Sequence, residues 1–392
     1  MSRLLSEAAF LACIGTHFAN AHPHLERARG DDAAELRCPP RLCLSTDLFL
    51  EGVHFRRSYF SPADVGYKSL AVNLSDMAAS GAVPQGFSLG LMVPADDHES
   101  APATTYSAGL ADHTEKDATD AAYPGNPLPE GTQDTAYWDA FFSGMAKLAG
   151  KHNIALSGGD LSRAPMLGVS ITIWGAPVTE EAPASGRDAV PAAHGTTNNA
   201  VPAAVPFLHR EEAAPGDILF LLGEIGLARI GFLALESMGR GAGTLYPAAV
   251  AAHLHPVPLV HEGRVLARLS AEMAPGSANR RVGLMDVSDG LARDLPRLLG
   301  TDRGLVANLS LPAESVHPET EAYCLANDLD TLEQITLGGE DYALLGTCPA
   351  EWRDALLERL PAARILGTVA KGTVHTLNGM PWEPGGFDHF AA

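Results

Sequence analysis

Acidic side chains recur where apolar stretches of the chain end, and several of them lie next to glycine or serine. An aspartate inside an apolar segment is unfavourable unless it is paired or coordinated. Grouped carboxylate oxygens are the ligands of hard cations such as Mg²⁺. Taken singly, Asp47 could instead be a turn or capping residue, and Asp76 the partner of Lys68 or of an arginine. The candidate ligands are one of the adjacent pair Asp31 and Asp32, which point to opposite faces if they lie in a strand, and Asp47, Asp76, Asp160, Asp286 and Asp289.

Glycines accompany the acids in a way that suits phosphate groups. Gly158-Gly159-Asp160 follows a short apolar stretch, and Gly338-Gly339-Glu340-Asp341 precedes another. Paired glycines allow the backbone to approach a phosphate closely, although a simple turn produces the same letters. Ser288-Asp289-Gly290 lies between a predicted strand and a predicted helix, where the helix N-terminus favours an anion.

Two elements must position the first acids. Residues 42–48 alternate as a strand, and the period of two puts Ser45 and Asp47 on one face and Thr46 on the other. A helix is predicted over 62–80, with a capping box at Ser61 and Asp64 and a stop at Gly81. Asp76 lies late in this helix, where the dipole disfavours an anion. A bound cation would compensate.

Composition limits the partners. The chain has 392 residues and a formal net charge of −20, so two domains are expected and a general attraction for nucleic acid or anionic membranes is not. Polar, low-complexity stretches indicate an insertion at about 95–135 and an insertion or linker at 180–207. We therefore expect an N-terminal domain at 1–179 and a C-terminal domain at 208–392.

The cysteines and histidines give little indication of a metal site. Five scattered cysteines without C-x-x-C spacing indicate neither a disulfide framework nor a zinc site. His17, His22 and His24 are spaced irregularly and are interpreted as solvated loop histidines. No apolar run has the length of a membrane span, and the N-terminus does not resemble a signal peptide. A reduced, cytoplasmic compartment is expected.

Three classes of protein fit the acids: a phosphoryl transferase using several Mg²⁺ ions, a metal-dependent hydrolase, or a non-catalytic acidic binding protein. A Walker lysine, a kinase His-Arg-Asp loop and His-Glu-x-x-His are all missing from the sequence. Gly144 to Lys151 has one residue too many for a P-loop and lies in a predicted helix. The glycine turns favour the first class.

The motifs, taken in order, resemble the thiamine-monophosphate kinase family within the aminoimidazole ribonucleotide synthetase superfamily. They span nearly the whole chain, and only the two low-complexity stretches depart from the family pattern. The matching segments are Ser45-Thr46-Asp47 with Glu51-Gly52-Val53-His54-Phe55, residues 67–82, Gly158-Gly159-Asp160, Asp286-Val287-Ser288-Asp289-Gly290, Gly338-Gly339-Glu340-Asp341-Tyr342 and Gly386-Phe387-Asp388-His389-Phe390.

The resemblance implies an α/β (α+β) fold of PurM-like architecture, in which each of two domains packs helices on a mostly antiparallel sheet. It implies that the N-terminal domain binds metal and ATP and forms the contact of a homodimer. It also implies ATP-dependent conversion of thiamine monophosphate to thiamine diphosphate, with several Mg²⁺ ions and no general base. By motif position it implies metal ligands at Asp32, Ser45, Thr46, Asp47, Asp76, Asp160, Asp286 and Asp289, ATP contacts at Gly159, Asp160, Arg210 and Ser288, and substrate contacts at His54, Glu340 and Phe387.

Sister activities of the superfamily stay open on this evidence. They include the synthesis of aminoimidazole ribonucleotide, of selenophosphate and of a hydrogenase cyano ligand. A selenophosphate enzyme should carry a reactive cysteine in a glycine-rich N-terminal segment, which is not the setting of Cys13. The hydrogenase enzyme should end in cysteine, whereas this sequence ends Phe390-Ala391-Ala392.

Overall fold

The computed structural model describes residues 6–94, 135–179, 204–274, 282–383 and 385. The insertion predicted at 95–135 lies outside this part except for Thr135, as do residues 180–203 of the segment predicted at 180–207. Thr179 forms a β-bridge with Ala204, and the Val205 amide donates to the Val178 carbonyl at 2.8 Å. The chain therefore leaves and re-enters the fold at adjacent positions around this second segment.

The described residues form helices and two main sheets, and none of the described helices is long and apolar enough to span a membrane. Short 3₁₀ turns occupy Gly239–Gly241, Ala313–Ser315 and Ala350–Trp352. The helices are α1 Glu7–His17, α2 Pro62–Ala79, α3 Thr135–His152, α4 Leu227–Met238, α5 Ala242–Leu245, α6 Pro247–Leu254, α7 Val260–Met273, α8 Leu291–Leu299, α9 Pro318–Ala326, α10 Thr331–Leu337 and α11 Arg353–Arg359. The strands are β1 Leu25–Arg27, β2 Glu35–Leu36, β3 Cys43–Leu50, β4 Val83–Pro94, β5 Ala155–Ala164, β6 Gly168–Ala176, β7 Ile218–Leu222, β8 Gly283–Val287, β9 Leu305–Leu309, β10 Ala343–Cys348, β11 Arg364–Lys371, β12 His375–Leu377 and β13 Met380–Trp382.

The N-terminal sheet has four strands in the order β3-β6-β4-β5, antiparallel except for the β4–β5 pair. Ser45, Asp47 and Phe49 alternate with Leu44, Thr46 and Leu48 along β3. Phe49 is buried, whereas the side chains of Leu44, Thr46 and Leu48 are exposed. One face of this sheet thus meets the helices, and among the described residues the other face is open along β3.

Helix α2 is the central element of the fold because its two sides touch different parts of the chain. The Ser61–Asp64 capping box begins it, and Gly81 ends it with a φ of +63°. A Cβ on Gly144 of α3 would lie 2.1 Å from the Ala63 carbonyl oxygen, and one on Gly263 of α7 would lie 2.0 Å from that of Ala78. Only glycine allows helices to approach this closely, which gives Gly144 a packing role.

The C-terminal sheet has seven strands in the order β13-β12-β9-β11-β7-β10-β8, antiparallel except for β12–β9. Strand β7 is buried on both faces: Phe220 joins the larger apolar cluster, which also contains Leu70 of α2, while Leu221 joins a second cluster around α8. The predicted fold class, helices on mostly antiparallel sheets, is confirmed. The larger core is shared by residues from both ends of the sequence.

Candidate active site

Strand β3 and helix α2 bring the first two acids together. The Ser45 hydroxyl donates a hydrogen bond to Asp76 Oδ2, and Asp47 lies two residues further along the same face of β3. Burial, then the negative charge of Asp76 and a hydrogen bond with it, raises the pKa of Asp47 to about 7. The face predicted from the period of two is therefore the one that carries the carboxylates.

Asp286 joins them from the C-terminal sheet. It lies near the end of β8, and the Ser75 hydroxyl of α2 donates to its Oδ2 at 2.8 Å. Burial, followed by the charge of Asp76, raises the pKa of Asp286 to about 7. We call Asp47, Asp76 and Asp286 the acid cluster; both ends of the chain contribute to it.

A positive charge lies beside this cluster. Burial raises the pKa of Asp76, and both the Ser45 hydrogen bond and the nearby Arg210 guanidinium oppose that rise. Arg210 follows a segment that is tied to the end of α2 and to β8, because the Leu208 amide donates to the Ser80 carbonyl and the Leu284 amide donates to the His209 carbonyl. The alternative of an arginine near Asp76 is thus realised, whereas Lys68 pairs with another residue.

The raised pKa values of the three carboxyls show that the protein alone does not compensate the cost of burying their negative charges. A divalent cation would supply that compensation, and the all-oxygen donor set suits Mg²⁺. In the part of the chain that the structure covers, the only group of three or more His, Cys, Asp or Glu ligand atoms lying within 4.8 Å of one another is Cys13, His17 and Asp139. The carboxylate oxygens of the acid cluster are therefore not all within 4.8 Å of one another. This wider spacing fits Mg²⁺ that retains waters between the carboxylates.

Three predicted metal ligands are not brought into the cluster by their side chains. The Thr46 and Thr172 hydroxyls share a 2.8 Å hydrogen bond on the opposite face of β3, so Thr46 could contribute only its main chain. Asp32 is exposed, and its amide donates to Asp31. Asp289 lies 2.7 Å from an Arg297 nitrogen and 3.6 Å from Arg293. For Asp289 the physical reason is direct: the two guanidinium groups already neutralise its charge.

The Gly158-Gly159-Asp160 segment lies within β5, whereas the sequence predicted a strand ending before it. The pairing of β5 with β4 is irregular at Ser157, whose hydroxyl donates to the Phe87 carbonyl at 3.1 Å. A Cβ on Gly159 would lie 1.7 Å from the Leu89 carbonyl oxygen, so this position requires glycine. Asp160 is exposed and accepts a hydrogen bond from the Ser162 hydroxyl at 3.2 Å.

The turn between β8 and α8 is shaped by a residue that the sequence analysis missed. The buried Asp294 carboxylate accepts the amides of Ser288 and Asp289 at 3.0 and 2.9 Å. Burial raises the pKa of Asp294, and the Asp289 amide and Arg297 oppose that rise. Its position in the first turn after Ser288-Asp289-Gly290 was the available signal. Both amides are therefore engaged by Asp294 rather than open to a phosphate.

The loop of residues 338–342 lies against the same turn. Glu340 and Tyr342 have positive φ angles of 64° and 51°, and their amides donate to Ser288 and Val287. Such conformations are strained for residues other than glycine and persist where the surroundings enforce them. Asp341 supports the loop by accepting amide bonds from Gly226 and Ala228 at the start of α4.

Glu340 itself reaches a buried cationic side chain. Lys68 Nζ of α2, whose side chain is 0% exposed, lies 3.2 Å from Glu340 Oε2. His253 Nδ1 of α6 lies 3.3 Å from the same oxygen, and burial, followed by the Lys68 charge, lowers the pKa of His253 well below its usual range. Glu340 therefore receives its positive partner from Lys68 rather than from the histidine.

The remaining predicted substrate contacts are His54 and Phe387. His54 is half-buried, accepts the Leu50 amide at Nδ1 over 3.0 Å, and stacks on Phe49 with ring centres 5.8 Å apart. This ring is held in place by the turn after β3. Phe387 lies outside the described residues.

Known proteins match this chain over nearly its whole length. The family model "AIR synthase related protein, N-terminal domain" matches residues 30–122. A thiamine-monophosphate kinase of Synechococcus elongatus is 29% identical over 88% of this chain and 85% of its own. The crystal structure of the thiamine-monophosphate kinase of Stenotrophomonas maltophilia superposes with a TM-score of 0.67 at 25% identity, covering 98% of this chain and 99% of that one.

Two further structures share the fold. A structure of AaThiL complexed with AMPPCP and TMP is 23% identical, with a TM-score of 0.62 and coverage of 98% of this chain and 97% of that one. The hydrogenase maturation protein HypE of Escherichia coli has a TM-score of 0.63 at 18% identity, covering 98% of both chains. The resemblance predicted from the sequence motifs is confirmed.

Proposed function

We propose that this chain, which resembles thiamine-monophosphate kinases along nearly its whole length, transfers the γ-phosphoryl group of ATP to thiamine monophosphate, giving ADP and thiamine diphosphate. The observation that carries the proposal is the acid cluster. Asp47, Asp76 and Asp286 are held together by Ser45 and Ser75, and the pKa values of all three carboxyls are raised. Cations would compensate the buried negative charges of such a site, and nucleotides bind as complexes with Mg²⁺.

The chemistry needs no general base from the protein. The acceptor is a phosphate oxygen, which is largely anionic near neutral pH because its second pKa is about 6. The obstacle is repulsion between two polyanions inside a protein of net charge −20. Several Mg²⁺ ions on the acid cluster, which we propose as the resident metal, would neutralise this charge and stabilise the transition state.

On the nucleotide side, we assign contacts to Arg210, Ser288, Gly159 and Asp160. The charge of Arg210 lowers the pKa of Asp76, and its guanidinium could meet a phosphate oxygen as a charged donor. The Ser288 hydroxyl lies at the start of α8. Gly159 and Asp160, exposed on β5, would approach the phosphates and their metal. Asp32 and Asp289 stay proposals as ligands, since each would have to change its present contacts.

On the acceptor side, we assign His54, Glu340 and Phe387. His54 accepts the Leu50 amide of β3 and Glu340 pairs with Lys68 of α2, so each contacts an element that also carries a residue of the acid cluster. An aromatic residue such as Phe387 would suit the rings of thiamine by stacking. Five free cysteines and two small-molecule substrates support a reducing cytoplasm as the compartment.

The decisive experiment is a coupled ADP-release assay with purified chain, ATP and Mg²⁺. Thiamine monophosphate should support turnover, whereas free thiamine and the acceptors of the sister enzymes should not. Chromatographic detection of thiamine diphosphate, formed in equal amount to ADP, checks the product. ADP release with an acceptor of another superfamily member, and none with thiamine monophosphate, would replace the proposal with that sister activity.

A further inference from the structure

A second group of chemically reactive side chains lies where α1 packs on α3. It consists of Cys13 and His17 of α1 and Asp139 of α3, and it shares no residue with the acid cluster. His17 Nε2 is 2.9 Å from Asp139 Oδ1, and the Cys13 sulfur lies within 4.8 Å of both ligand atoms. His17, which the sequence analysis interpreted as a solvated loop residue, is the last residue of α1 and is turned towards α3.

The two helices fix the geometry of this group. Cys13 and His17 are four residues apart, so they project from the same face of α1. Phe10, one turn earlier, packs on Trp138 with ring centres 4.8 Å apart, next to Asp139 in sequence. Trp138 is fully buried and Phe10 nearly so. The ligand atoms are thus held by a packed apolar contact rather than by mobile loops.

We propose that Cys13, His17 and Asp139 form a binding site for a borderline divalent transition-metal ion such as Zn²⁺. A thiolate, an imidazole and a carboxylate are all ligands of Zn²⁺, and three of them leave one tetrahedral position for water. The sulfur and nitrogen donors select against Mg²⁺, which prefers oxygen and is proposed for the acid cluster. The bound ion would join the N-terminal helix to α3.

Metal binding would have to displace the proton of the Cys13 thiol. Cys13 is 7% exposed, and its burial, followed by the charge of Asp139, raises the pKa of its thiol. A carboxylate beside a buried sulfur opposes a thiolate unless a cation lies between them. A cation reverses the sign of that interaction and takes the place of the thiol proton. The competing explanation is a simple His17–Asp139 ion pair that leaves Cys13 as a core thiol.

The test is a Co²⁺ titration of the full chain in Mg²⁺ buffer, followed by absorbance. Binding of one equivalent should produce thiolate-to-cobalt charge-transfer absorption, and Zn²⁺ should abolish it by displacement. Excess Zn²⁺ should raise the unfolding temperature by roughly 3 °C. Cys13→Ser should lose the charge-transfer absorption, and Asp139→Asn should bind Co²⁺ at least tenfold more weakly. Cys38→Ser is the matched control, because Cys38 is an exposed thiol outside the group.

Two results of the Co²⁺ titration would overturn the proposal. Missing absorption at stoichiometric Co²⁺, or absorption that persists in Cys13→Ser and disappears in Cys38→Ser, would leave Cys13 as a core thiol. Cys13→Ser alters a buried position, so Asp139→Asn supplies an independent arm: the Asp139 side chain is 63% exposed and its change should not prevent folding. Equal Co²⁺ affinity in Asp139→Asn and the unmodified chain would leave only the ion pair.

Discussion

At the scale of single residues, Asp47 and Asp286 are the two acids of the cluster whose ionisation is most unfavourable. Each has its pKa raised to about 7 by burial and by the charge of Asp76, so each destabilises the fold when ionised without a partner. A cation that binds them should stabilise the folded chain. The same two charges that weaken the fold would then hold the metal for catalysis, as is common for strained polar groups at active sites.

We therefore expect Asp286→Asn and Asp47→Asn to lower turnover at least ~100-fold, because each removes a charge that holds Mg²⁺ against the transferring phosphoryl group. The Mg²⁺-dependent rise in unfolding temperature should shrink in both variants, although their metal-free forms should be no less stable than the unmodified chain. Steady-state kinetics and thermal unfolding with and without Mg²⁺ measure this. Asp302→Asn, an exposed acid, is the control. Normal turnover of either variant at limiting Mg²⁺ would contradict the assignment.

The Lys68–Glu340 pair makes a separate prediction about stability. Lys68→Met should cost about 3 kcal/mol in free energy of unfolding, because it leaves Glu340 without its buried positive partner. Combining it with Glu340→Gln should recover most of that loss, since no unpaired charge then remains. Urea unfolding of the two single variants and the double variant gives the coupling energy. Additive losses would show that the two side chains do not stabilise each other.

At the scale of elements, α2 begins at a charged cluster that predicts pH dependence. Burial alone would raise the pKa of Asp64, but hydrogen bonds from His255 and Ser61 and the charge of Arg240 lower it to about 2. A lowered pKa contributes stability that is present above pH 4 and is lost as the pH falls from about 4 to 2. This contribution acts at the N-terminal end of α2, the helix that carries Asp76 near its other end.

Asp64→Asn should accordingly reduce the free energy of unfolding near pH 7 by about 1–2 kcal/mol, allowing for the exposure of Arg240 and His255. The difference between the variant and the unmodified chain should disappear between pH 4 and pH 2. Urea unfolding at a series of pH values measures it, and comparing the two proteins cancels the titration of the other acids. A difference that stays constant down to pH 2 would assign the effect to shape rather than charge.

The sequence was most informative where a pattern is local. Alternation placed Ser45 and Asp47 on one face of β3, and the capping box and Gly81 bounded α2, as observed. It failed where position depends on distant partners. The pairing of β5 with β4 extends that strand through Gly159, and only the packed fold shows that Lys68 meets Glu340, 272 residues away. Thr46 shows the limit of motif transfer, because its side chain points away from the acids.

At the scale of the whole molecule, the acid cluster depends on both sheets. Asp47 lies on β3, Asp76 on α2 and Asp286 on β8, and glycine contacts hold α2 close to α3 and α7. The division at about residue 208 stays a prediction. If it is correct, the cluster lies where the two domains meet, the usual location of small-molecule sites.

The open face of β3 leads to the last prediction, a homodimer. Leu44 and Leu48 are 61% and 52% exposed and lie with Thr46 on the face of the N-terminal sheet that none of the described helices covers along β3. An exposed apolar strand face promotes aggregation of a single chain, and burial against a second copy would take this apolar surface out of water. Leu44→Asp with Leu48→Asp should therefore convert a dimer to a monomer in sedimentation equilibrium. Leu325→Asp on α9, at an 85% exposed leucine, should not change the mass. A monomeric unmodified chain at micromolar concentration, or a dimer that survives the double substitution, would rule out this face.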